Sequence, residues 1–253
     1  MPQWWGVFPL YHNLRVLIHR MDIFKAYLCS FLSLVVYLPE KKVPLEGVVP
    51  FYDKGTDTDG FSYVHKDTHY IVFRGTEKKY ADWKIDLSVF KTRRDYGKVH
   101  VGFYKAYDSV KDQIGAFRRN KVIFTGHSLG GALAQVAAIE RSNLNPWINI
   151  QVYTFGSPRV FNKKGAASFN KEIKDCFHFV ANNDIVPRIP FVNFWRTKAL
   201  YYITSKGKIQ PESTFGSRMW DRVRGLKLFD GKIDQLSDHS MEDYYNFMRE
   251  SLD

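Results

Sequence analysis

Apolar and β-branched residues fall in short runs through the middle of the chain, and each run ends on Gly, Ser, Pro, Asn or Asp. His69-Tyr70-Ile71-Val72-Phe73 reads as a strand that stops at Arg74-Gly75-Thr76, and residues 101–117 carry apolar positions at helical spacing. A second strand, 121–125, runs into Gly126-His127-Ser128-Leu129-Gly130, and an Ala- and Leu-rich helix follows over 131–142. A third strand, 148–155, stops at Gly156-Ser157-Pro158, and a helix near 163–173 leads to a fourth strand, 176–180, that ends at Asn182-Asn183-Asp184. Strands alternating with helices predict an α/β fold with a mainly parallel central sheet and helices on both faces. No repeat, low-complexity tract or linker divides the chain, so residues 1–253 are expected to form one domain.

The amino-terminal part follows another pattern. The apolar run 26–38 is thirteen residues long, short of the roughly 18 needed to cross a bilayer as a helix. It lacks a compact basic segment ahead of it and a small-residue cleavage site behind it, so it reads as a buried helix stopped near Pro39 rather than a signal peptide. Residues 1–20, with Trp4, Trp5, Phe8 and Leu10 among their apolar members, either pack on the core or lie on a membrane surface with Arg15 and Arg20 at the headgroups; packing is expected. Residues 1–44 are thus expected to form a helical extension of the domain.

Composition changes this picture little. The 253 residues are 45% hydrophobic and 25% charged, which excludes disorder, collagen and coiled coil. A net charge of +11 favours anionic partners, but pairs such as Lys78-Lys79, Arg93-Arg94 and Lys163-Lys164 lie far apart and form no dense basic arm, so nucleic acid is not expected. Cys29 and Cys176 exclude a disulfide framework, match no metal-site spacing, and lean toward a reducing compartment as two buried thiols.

The chemistry concentrates at Gly126-His127-Ser128-Leu129-Gly130, a Gly-x-Ser-x-Gly pattern lodged between a strand and a helix. A serine at the apex of so tight a turn needs small neighbours two residues away, and it stands at the helix amino end, which favours negative charge. Ser128 is the candidate nucleophile; a glycine-rich structural turn is the bland alternative. A serine hydroxyl needs a base and an orienting carboxylate. In the α/β-hydrolase order of serine, acid, histidine, only His178 and His239 lie downstream of Ser128. His178 falls inside a strand, while His239 stands in a polar loop ahead of a helix over 241–250, so His239 is the candidate base. Asp184, just past a strand end and stiffened by Ile185-Val186-Pro187, is better placed as the acid than Asp175, Asp221, Asp230 or Asp234; its other reading is an Asx-turn that closes the strand. Asp238 is expected to cap the last helix or assist the histidine. Oxyanion donors are expected from Leu129, which follows the nucleophile, and from Thr76, at the end of an earlier strand.

Six segments then stand in order: Phe73-Arg74-Gly75-Thr76, 99–103, 126–132, 154–159, 183–188 and Asp238-His239. Together they resemble the class 3 (fungal-type triacylglycerol) lipase family over about residues 45–245. The resemblance implies an α/β-hydrolase fold and a serine ester hydrolase with Ser128, Asp184 and His239 as its triad and Thr76 and Leu129 as its oxyanion hole. No metal or organic cofactor is implied, and His100 and His127 stay outside the catalytic set. Residues 77–88 occupy the place of the family's lid, with Tyr80, Trp83, Ile85 and Leu87 interleaved with six charges. The chain departs from the family at Phe194-Trp195-Arg196-Thr197 and over 214–227, both regions that shape substrate choice. The expected partners are a lipid ester and, at the periphery, an anionic membrane surface; the oligomeric state stays open. Phospholipase A1, a soluble-ester esterase, or a non-catalytic lipid- or membrane-binding protein are the alternatives.

Overall fold

The computed structural model describes residues 21–39, 42–76, 90–182, 184–190, 192–197, 200–211 and 239–252. The expectations for residues 1–20, the lid-like 77–88 and 214–227, and for Asp221, Asp230, Asp234 and Asp238, fall outside them.

Eight strands form one sheet in the order β1 (Val49–Asp53), β2 (Thr58–His65), β3 (Thr68–Phe73), β6 (Lys121–His127), β7 (Asn149–Phe155), β8 (Asp175–Ala181), β9 (Leu200–Ile203) and β10 (Ile209–Pro211). The five central strands, β3, β6, β7, β8 and β9, run parallel; β1, β2 and β10 add antiparallel edges. All six residues of β3 are buried, as are the last six of β6, β7 and β8. A strand buried on both faces carries a continuous apolar run, which is why these four were readable.

Side-chain alternation divides the core between two faces. Ile71, Phe73, Val122, Phe124 and Val152 point into one cluster, beneath α2 (Val101–Ile114), α3 (Leu129–Leu144) and α4 (Lys163–Glu172). Tyr70, Val72, Ile123, Tyr153 and Phe155 point into the other, beneath α1 (Ile23–Val35) and α5 (Met241–Glu250). The helix expected in the apolar run 26–38 starts three residues early, because the Asp22 carboxylate accepts from the Lys25 N–H at 3.1 Å and caps it. Its buried residues include Ala26, Cys29, Leu32 and Val35, so this helix packs on the core. Both cysteines are buried free thiols. Helix α2 stops at Ile114, short of the expected 117, where Gly115 turns the chain with φ +68°.

A separate hairpin, β4 (Lys91–Arg94) with β5 (Gly97–His100), leads straight into α2. His100 explains the junction. Its Nδ1 accepts from the Gly102 and Phe103 N–H groups at 3.2 and 3.4 Å, and its ring lies 4.2 Å from that of Phe103. His100 thus caps the amino end of α2.

Candidate active site

Ser128 occupies the single-residue turn between β6 and α3, with φ 55° and ψ −124°. A non-glycine residue holds this conformation only where its surroundings fix it. Here its N–H donates to the Phe155 carbonyl at 2.9 Å, and its carbonyl accepts from Gly131 and Ala132 at 3.0 and 3.3 Å. The flanking glycines let strand and helix meet. A Cβ on Gly126 would stand 2.5 Å from the Gly130 oxygen and 2.8 Å from the Phe73 oxygen. Leu129 opens α3, so its N–H has no acceptor within the helix.

Arg74-Gly75-Thr76 runs past this elbow. A Cβ on Gly75 would lie 2.8 Å from the His127 oxygen and 3.3 Å from the Ser128 Cβ, which brings the backbone ahead of Thr76 against the Ser128 turn. Thr76 itself is half-buried. Arg74 is fixed by Asp59 at 3.0 Å and sits over the Tyr37 ring at 5.5 Å.

Asp184 follows β8 at the same carboxyl edge and is wholly buried. Its Oδ1 accepts from the Val186 N–H at 2.9 Å. Its Oδ2 accepts from the Tyr244 hydroxyl at 2.6 Å and from His239 Nδ1 at 2.8 Å. The Tyr244 oxygen in turn accepts from the Ala181 N–H at 2.9 Å, so α5 and the end of β8 hold the carboxylate between them. With Nδ1–H committed to Asp184, His239 presents an Nε2 lone pair. That atom is shielded from solvent and has no hydrogen-bond partner among the described residues, and no hydrogen bond joins it to the Ser128 hydroxyl. A longer separation than in a reacting complex is common when no substrate is bound.

One further histidine stands close by. The His127 ring centroid lies 4.5 Å from that of His239, and Tyr37 Oη is 3.0 Å from His127 Nδ1. Burial, followed by the His239 charge, pushes the His127 pKa well below the usual histidine range. His178 lies within β8 as expected, pushed down to about 3 by burial and then by the Arg196 charge. The Thr197 hydroxyl donates to Gln135 Oε1 at 2.7 Å, so at 2.7 Å from His178 Nε2 it is left to accept; Thr154 then donates to Nδ1 at 2.6 Å. His178 is thereby committed to a buried structural network.

The structure therefore brings Asp184 and His239 into contact and sets Ser128, Leu129 and Thr76 at the same sheet edge. Three contributors escaped sequence reasoning: Tyr244, Tyr37 and Gly156. Gly156, at φ +61°, passes so close that a Cβ there would stand 2.7 Å from Asp184 Oδ2 and 2.8 Å from His239 Cε1. Its place directly behind a strand, ahead of Ser157-Pro158, was the available signal. No cluster of three or more metal-ligating side chains occurs among the described residues.

A mostly parallel sheet with helices on both faces, a strained serine between strand and helix, and a carboxylate–histidine pair at the strands' carboxyl edge define an α/β-hydrolase. Residues 70–194 match the model of class 3 lipases. A lipase of Rhizopus niveus is 31% identical over 175 residues, which cover 62% of this chain and 43% of that protein. A triacylglycerol lipase of Arabidopsis thaliana is 28% identical over 228 residues, 72% of this chain and 42% of the relative. The chain thus spans less than half the length of these relatives. The crystal structure of a lipase from Rhizopus microsporus var. chinensis superposes with a TM-score of 0.65 at 26% identity, covering 76% of this chain and 78% of that one. Over residues 70–194 the chain is thus similar to class 3 lipases.

Proposed function

We propose that this chain is a serine carboxylic-ester hydrolase acting on lipid acyl esters, with Ser128 as nucleophile, His239 as base, Asp184 as acid, and Leu129 and Thr76 as oxyanion donors. The observation that carries this reading is the 2.8 Å Asp184–His239 contact, which leaves a shielded, unpartnered Nε2 at the edge that bears the serine elbow. Substrate binding brings the Ser128 hydroxyl onto Nε2, which takes its proton as Oγ attacks the ester carbonyl carbon. Negative charge gathers on the former carbonyl oxygen, where Leu129 and Thr76 donate; one such donor is typically worth about 3 kcal/mol. The imidazolium returns its proton to the alkoxy oxygen as the C–O bond breaks, the alcohol leaves, and the acyl group stays on Ser128. Water then gives a proton to Nε2, attacks the acyl carbon, and releases the carboxylic acid while Ser128 regains its hydrogen.

Likeness to a triacylglycerol lipase supports a glyceride as the substrate class. The test compares wild type with Ser128→Ala on soluble esters of graded acyl length, on emulsified triacylglycerol and on phospholipid vesicles. The variant is expected to lose at least about 10⁴-fold in kcat; equal turnover in both proteins overturns the mechanism. Release of acyl chains from phospholipid alone would assign a phospholipase, and turnover confined to short soluble esters would assign an esterase. Vesicle binding with no turnover by either protein would leave a non-catalytic lipid-binding member.

A further inference from the structure

An open cleft of about 460 Å³ is lined by Phe90, Lys91, Lys98, Asn162, Lys163 and Trp195, together with Asn193. We propose that this cleft and its rim are a docking surface for an anionic phospholipid bilayer. Three lysines converge on it and none of its lining residues is acidic. Among the described residues, neither Lys98 nor Lys163 forms an ion pair. Lys91 extends over the Phe194 ring at 4.2 Å, and burial and then the Lys98 charge hold it below the usual lysine range. Apolar groups stand outward among these charges: Phe90 is 71% exposed, Val192 63% and Trp195 44%. Basic groups interleaved with an exposed Trp, Phe and Val match a headgroup–acyl boundary, where an aromatic ring inserts shallowly and phosphates meet the ammonium groups. A nucleic acid would answer the charge but leave Phe90 and Val192 in water.

Placement gives the surface a use. Phe90 and Lys91 lie on the chain that leaves β3, Asn162 and Lys163 on the chain that leaves β7, and Asn193 and Trp195 on the chain that leaves β8. These strands are parallel, so their carboxyl ends share the edge where Ser128 and Asp184 stand. A bilayer seated there lies beside the elbow. Such docking goes beyond the proposed ester chemistry and does not depend on it.

The test uses the full chain carrying Ser128→Ala, so that no hydrolysis intervenes, sedimented with phosphatidylcholine vesicles with and without phosphatidylglycerol. Lys98→Ala/Lys163→Ala is expected to weaken partitioning onto the anionic vesicles about 25-fold, fivefold per lysine at physiological salt, and to leave the weak binding to neutral vesicles unchanged. Lys171→Ala/Lys174→Ala, at the far end of α4 by the opposite sheet edge, should stay within about twofold of the parent. Trp195→Ala should weaken both kinds of binding. Equal binding to neutral and anionic vesicles, an unchanged Lys98/Lys163 variant, equal losses in both lysine pairs, or tighter binding to a DNA oligonucleotide than to vesicles each overturns the proposal.

Discussion

Gly156→Ala separates a packing effect from a backbone effect at one position. The residue sits at φ +61°, where an L side chain costs roughly 1–2 kcal/mol. The added methyl would also meet Asp184 Oδ2 at 2.7 Å and His239 Cε1 and Nδ1 at 2.8 and 2.9 Å. Ordinary contact needs about 0.7 Å more. Asp184 has little room to yield, because Val186 and Tyr244 hold its two oxygens and Tyr244 is itself wholly buried. His239 is the freer member, with its side chain 15% exposed, so the imidazole moves. Displacing a catalytic group by a large part of an ångström costs on the order of 10²-fold in rate, or about 2.7 kcal/mol of barrier.

Gly115→Ala is the matched control. That glycine has φ +68° and nothing within 4 Å of an added methyl, so it bears the backbone strain and none of the clash. Both variants should lose about 1–2 kcal/mol of stability in urea unfolding, with some further loss for Gly156→Ala. Only Gly156→Ala should lose kcat on a short soluble ester, with KM within about threefold of wild type. A Gly156→Ala enzyme within threefold of wild-type kcat would refute the reasoning, because the Asp184–His239 pair would then tolerate the atom that geometry excludes.

Two other predictions concern the site's supports and the fold. Tyr244→Phe removes the donor to Asp184 and the acceptor of the Ala181 N–H; it should cost about 1–3 kcal/mol in urea unfolding and roughly tenfold in kcat, and no change in either would remove Tyr244 from the support of the acid. His178 and His69 are pushed down by burial to about 3 and about 4. Their folded pKa values lie below the unfolded 6.5, so their contribution is complete above pH 6.5 and is lost as pH falls toward 4 and 3, at about 1.4 kcal/mol per unit and per group. The urea midpoint should therefore fall clearly between pH 7 and pH 4.5, and His178→Gln should flatten part of that slope; equal midpoints at the two pH values would contradict the burial argument.

What could be read from the sequence follows from where the signals are local. Strands β3, β6, β7 and β8 are buried on both faces and show as apolar runs, whereas β1 is mostly exposed or half-exposed and the β4–β5 hairpin includes Lys91-Thr92-Arg93-Arg94, so neither stood out. The Ser128 turn was legible because a strained turn demands fixed small neighbours, and the proposed roles of Asp184 and His239 rest on each sitting at a strand or helix boundary. Tyr244 was not: its sequence neighbourhood says only that it shares the buried face of α5 with Met241 and Met248. Its contact with Asp184 spans 60 residues, and that of Tyr37 with His127 spans 90. Such pairings are made by the packing of helices on the sheet, which leaves no trace in residue spacing.

Those long-range contacts give the amino-terminal helix a place in the site. α1 meets α5 through Tyr27 and Tyr245, whose hydroxyls are 3.1 Å apart and whose rings stack at 5.5 Å. It meets β6 through Ser33 and Thr125, with hydroxyls 3.1 Å apart, three residues before Ser128. Just past its end, Tyr37 reaches His127, and its hydroxyl lies against Gly75. One element therefore touches the strand that presents Ser128, the helix that follows His239, and the turn that leads to Thr76. Ser128 and His239 are more than a hundred positions apart in the chain, and His239 stands ahead of a helix rather than on a strand paired with β6. Besides the Asp184–His239 contact at the end of β8, the packing of α1 and α5 on one face of the sheet ties the two positions together, so the apolar run near the amino terminus is part of the frame around Ser128 and His239.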